Sequence, residues 1–86
     1  MAASPGEIRD KWEEYERKYE EAGAMLGKAL ALLVDLQDVA VELFEGAGGE
    51  GRRVLPAVSS AVRHTNEAIL DVEAAAEAGA EYVSYL

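Results

Sequence analysis

The sequence predicts an all-α protein: an antiparallel helical hairpin that dimerises into a four-helix bundle. Two apolar series predict the hairpin. The first is Ile8, Trp12, Tyr15, Tyr19, Ala22, Leu26, Ala29, Leu33, Leu36, Ala40 and Leu43. The second is Leu55, Val58, Val62, Thr65, Ile69, Val72, Ala76, Gly79, Val83 and Leu86. Both alternate steps of three and four, which keeps one stripe of each helix turned toward a single neighbour. A segment with four glycines between Gly46 and Gly51 separates them and predicts the reversal. Apolar residues left over beside the seams predict the second hairpin.

The 86 residues are read as one domain, with helix one over about 5–45, the turn over 46–53 and helix two over about 54–85. Met1 to Gly6 is a small flexible lead-in. Ser4 suits the N-cap, Pro5 the first turn, and Glu7 stands three residues after Ser4 as in a capping box. Along helix one, Glu7–Lys11, Glu13–Arg17 and Glu14–Lys18 place an acid four residues before a base, each pair adding about 0.2–0.5 kcal/mol. Gly23 and Gly27 are weak points, each costing up to ~1 kcal/mol relative to Ala, and a bend or a close helix contact is expected there. Helix two opens near Val54 with Pro56 in its first turn, where a missing N–H costs nothing. Arg52 and Arg53 oppose the dipole of that helix, so capping does not account for them. A contact for an acidic partner is the expectation instead.

Folding the chain at Gly49 pairs Leu43 with Leu55, Ala40 with Val58 and Leu36 with Val62. The same register sets Tyr19 opposite Gly79, Tyr15 opposite Val83 and Trp12 opposite Leu86. The aromatic trio thus faces the small residues of helix two and is read as core, exposed only if the open end frays. Met25, Leu30, Leu32, Val34, Val39, Val41 and Phe44 lie off the seam of helix one yet are apolar. Ala61, Ala68, Ala75 and Tyr82 flank the seam of helix two. These are the candidate partner-binding residues, because one neighbouring helix covers only a narrow stripe.

Composition bounds the function. The net charge of −9 argues against nucleic acid and anionic membrane, which call for a basic stripe. There is no cysteine to form a disulfide or a thiolate metal site. Ala29 to Leu36 is too short for a membrane span and is interrupted by Asp35 and Asp38. The first fourteen residues lack the apolar core of a cleaved leader. The expected location is therefore cytoplasmic, or outside the cell by a route that needs no cleaved signal.

No chemistry converges. His64, the sole histidine, falls on the outer face opposite Val34, so its i,i+3 spacing to Glu67 meets no inward ligands from other helices. Ser59 and Ser60 face no histidine. The glycine segment lacks the Lys-Ser/Thr of a phosphate loop. Thr65 can bond back to its own helix, and Asn66 suits a register-setting role. The expectation is a non-enzymatic interaction module without a cofactor or metal. Its partner would be itself or a similar helical hairpin. An intracellular adaptor, immunity or antitoxin-type protein holding a client on the same apolar flank is the alternative.

In length, in its two long helices and in its central turn, the chain resembles the WXG100 (ESAT-6-like) proteins of type VII secretion. Phe44-Glu45-Gly46 stands where that family has Trp-x-Gly, so Phe44 and Gly46 are the matching positions. The resemblance implies a homo- or heterodimeric four-helix bundle exported folded, with the secretion machinery as a further partner. Tyr82 is followed by Val83-Ser84-Tyr85-Leu86 rather than by the family's Tyr-x-x-x-Asp/Glu signal, so the resemblance places the export signal on a partner.

Overall fold

A computed structural model describes residues 3–86. Met1 and Ala2, the start of the expected lead-in, lie outside the described residues. The chain folds as an all-α helical hairpin: α1 spans Pro5–Phe44, a 3₁₀ turn spans Gly49–Arg53, and α2 spans Val54–Ser84. Ser4 caps α1 as its sequence context predicts. Its Oγ accepts from the Glu7 N–H at 3.3 Å, with Pro5 opening the helix. Among the i,i+4 pairs of helix one, Lys18 and Glu14 close to 3.8 Å. Both are exposed, so the pair contributes a few tenths of a kcal/mol.

The reversal occupies residues 45–53, between the end of α1 and the start of α2. Glu45 has φ −60° and ψ 125°, Gly46 has φ +76°, and the Ala47 N–H donates to the Phe44 carbonyl at 3.0 Å. These are the angles of a type II turn, which demands positive φ at its third residue. Gly46 therefore answers to backbone geometry. Gly46→Ala is expected to cost about 1–2 kcal/mol through the left-handed penalty alone, read as a lower urea midpoint with an unchanged slope. After Gly49, also at positive φ, the chain winds into the 3₁₀ turn. A Cβ on Gly51 would lie 2.8 Å from the Ala47 Cβ and 3.5 Å from the Phe44 ring, so the two limbs of the turn meet where no side chain fits.

Arg52 and Arg53 occupy the last residues of the 3₁₀ turn, and Arg53, which is also the N-cap of α2, reaches Glu50 at 3.5 Å on the exposed surface. They finish one short helix before they precede the next.

The seam on α2 is as expected: all ten residues of the second series are at least half-buried in the hairpin. The seam on α1 is not. Ile8, Trp12, Tyr19, Ala22, Leu26, Ala29 and Leu33 face α2, but Gln37, Ala40 and Phe44 continue the stripe, while Leu36 and Leu43 turn outward at 50% and 68% exposure. Tyr15 is also exposed, at 55%. The heptad series steps by about 3.5 residues, whereas the observed stripe steps by about 3.6, the repeat of a straight α-helix. Over one helical turn the two are indistinguishable. Over the 40 residues of α1 they part by a whole position.

Gly23 and Gly27 do not mark a close contact, since a Cβ on either would meet nothing within 4 Å. The close approach lies at Gly79. Trp12 seats its six-membered ring there, and an added Cβ would fall 2.7 and 2.9 Å from ring carbons. The expected register put Tyr19 opposite Gly79 and Trp12 opposite Leu86. The indole instead reaches the glycine, the one site on that stretch of α2 where its edge can lie against backbone.

The shape is a rod of 59 × 21 × 18 Å with a radius of gyration of 19.0 Å. A compact domain of this length would have a radius near 12 Å. The accessible surface is 6607 Å² against about 4,900 Å² for a compact protein of this mass. Ala40, at 3% exposure, is the one described residue that is buried. Everything else in the seam remains partly open to solvent.

Candidate functional site

The two sides of the hairpin differ. At about 100° per residue, Met25, Leu32, Leu36, Val39 and Leu43 align in one row beside the α1 seam. Their exposures are 65%, 69%, 50%, 50% and 68%. Glu7, Lys11 and Tyr15 continue that side toward the open end, where they share a groove of about 410 Å³ with Gly79 and Tyr82 of α2. Tyr82 in turn stands a heptad from Ala75, Ala68 and Ala61. One face of the hairpin therefore carries a row of large apolar side chains on α1 beside a row of alanines on α2.

The candidate partner residues distribute over three settings. Met25, Leu32, Val39, Ala75 and Tyr82 lie exposed on this face. Leu30, Phe44, Ala61 and Ala68 are half-buried and take part in the hairpin's own packing. Val34 and Val41, at 41% and 39% exposure, sit on the other edge of α1, toward the opposite face. Leu36 and Leu43 were assigned by periodicity to the seam and join the exposed row instead. The surplus of apolar residues beside the heptads was the signal that such a row existed.

A row of five large apolar side chains at half exposure or more is uncommon on a monomer, where apolar patches beyond a few hundred Å² mark interaction sites. The row contains no charged residue, yet Lys28, Asp35 and Glu42 lie along its outer border. An apolar centre with a charged rim is the anatomy of a protein interface.

The turn motif is structural in its local geometry. Phe44 ends α1, half-buried against Gly51, and Gly46 takes the left-handed position of the turn. Gln37 adds a contact that the apolar pattern did not reveal: its Nε2 donates to Ser59 Oγ at 2.8 Å across the hairpin. It occupies the seam position that Leu36 vacates.

His64 is exposed, and among the described residues no group of three or more His, Cys, Asp or Glu is placed to hold a metal ion. Among the described residues no helix is long and apolar enough to cross a membrane. A scan against protein-family models, a search of curated proteins and a search of solved structures each returned no match for this chain.

Proposed function

We propose that this chain is a non-enzymatic helical interaction module of the WXG100-like type, which pairs with a second copy into a four-helix bundle and leaves the cell with a partner through a type VII secretion route. The observation that carries the assembly is the exposed row from Met25 to Leu43 on a hairpin in which Ala40 alone among the described residues is buried. Small chains without disulfides or metals complete their cores by oligomerising. The turn at Phe44-Glu45-Gly46 supports the family reading, because a glycine in the left-handed position is what a motif at that reversal has to supply.

Size complementarity selects an arrangement. A two-fold axis along the hairpin stacks α1 of one copy on α2 of the other, with both turns at the same end. The row Met25, Leu32, Leu36, Val39 and Leu43 then enters the shallow surface over Ala57, Ala61, Ala68 and Ala75, and the contact is made twice by symmetry. A perpendicular axis at full overlap would instead set this row, which lies in the turn half of α1, against the open half of the partner's α1, where Glu7 and Lys11 continue the same side.

Spin labels test this directly, since the chain has no cysteine to interfere. With Ala47→Cys labelled at the turn, inter-copy distances of about 20–30 Å are expected for turns at one end. Opposed turns would give about 50–60 Å, the length of the helices. Export has its own test. The chain, co-expressed with its genomic neighbours, should reach the medium of a host with an intact type VII secretion ATPase and stay in cells that lack it. Retention in both hosts would remove the secretion part of the proposal and leave an adaptor or immunity role for the same face.

A further inference from the structure

On the face opposite the apolar row, toward the open end, lies a groove of about 500 Å³. Its floor is apolar: Trp12, Tyr19, Val72 and Ala76 line it, and Gly23 leaves space where a side chain would otherwise stand. Its rims are acidic, with Glu16 and Glu20 on α1 and Glu73 and Glu77 on α2. Each rim is an i,i+4 pair of like charges, which works against helix stability by about 0.2–0.5 kcal/mol. Among the described residues the ion pairs are Lys18–Glu14 and Arg53–Glu50, and none of the four rim carboxylates pairs with a cation there. The hairpin gains nothing by concentrating them over an aromatic floor.

We infer that this groove binds a basic segment of a partner protein, an amphipathic stretch that sets Lys or Arg side chains against the two glutamate rims and an apolar residue on the Trp12 floor. Three features choose that occupant. The carboxylates do not converge as a metal-binding group, so they suit separate charges spaced along a chain better than one ion. The indole of Trp12, held against Gly79, offers a π-face to a cation as well as an apolar contact. The apolar floor runs along both helices, over Trp12 and Tyr19 on α1 and Val72 and Ala76 on α2, which suits an elongated ligand. The groove lies away from the face proposed for dimerisation, so the two readings stand or fall separately.

Trp12 is the only tryptophan and reports on the groove by its fluorescence. A short helical peptide of Lys, Arg and Leu is expected to change its emission saturably. Glu73→Gln/Glu77→Gln should weaken binding about tenfold or more. Gly23→Leu should abolish it by filling the floor, with the helical circular dichroism retained. Asp38→Asn/Glu67→Gln removes the same charge away from the groove and should leave affinity within about twofold. The proposal is overturned if no saturable change occurs, if the peptide with Gln for its basic residues binds as tightly, or if the distant double variant weakens binding as much as the rim variant. The last result would mean diffuse attraction to a chain of net charge −9.

Discussion

Leu32→Glu, or Val39→Glu, is expected to turn a dimer into a folded monomer, with the dissociation constant rising about 100-fold or more. Burying one leucine contributes about 1.5–3 kcal/mol, and a two-fold interface loses that amount twice. A glutamate placed there adds the cost of desolvating a charge with no partner. Both positions are half or more exposed within one hairpin, at 69% and 50%, so the hairpin itself should tolerate them. Analytical ultracentrifugation across a concentration series reads the shift, and circular dichroism confirms that the helices persist. A parent chain that is monomeric and fully folded at high concentration would refute the four-helix bundle. So would a Leu32→Glu variant that sediments as the parent does.

Glycine-to-alanine substitution should have opposite signs at two positions of similar helical context. At Gly23 an added methyl meets nothing within 4 Å, so Gly23→Ala collects the helix-propensity gain of up to about 1 kcal/mol. At Gly79 the same methyl would lie 2.7 Å from the Trp12 ring. Overpacking of that kind costs about 1–3 kcal/mol, which equals or exceeds the propensity gain. Thermal melts should rise for Gly23→Ala and fall for Gly79→Ala. Trp12 emission should shift to the red in the second variant alone, as the indole is pushed into water. A Gly79→Ala protein with raised stability and unchanged emission would mean that the indole does not rest on Gly79 in solution.

Local features of this chain are legible in its residues, and those that depend on helix rotation over many turns are not. The helices, the cap at Ser4 and the α2 seam are local or short-range features, and their residues announce them. In the second half of α1, Leu36 and Leu43 carry a strong apolar signal yet face outward, while Gln37 and Phe44 take the contact. Periodicity cannot tell a coiled helix from a straight one when the 3.5-residue step falls on leucine. Gln37 was passed over because a polar residue on a seam leaves no apolar signal, although its bond to Ser59 crosses the hairpin. The acidic groove escaped for another reason. Glu16 and Glu20 lie more than fifty residues from Glu73 and Glu77 in sequence, and only the fold sets the two pairs on either side of Trp12.

What the sequence determined by itself is the hairpin: two helices, one glycine-rich reversal, and more apolar surface than one partner helix can cover. That follows from periodicity, from turn chemistry and from composition, all of which act over a few residues. Which residues form that surplus surface was decided only in the tertiary structure. The accumulated difference between 3.5 and 3.6 residues per turn rotates α1 along its length, and the contact with α2 selects the stripe that is buried. The leucines excluded from that contact are the ones that join the exposed row.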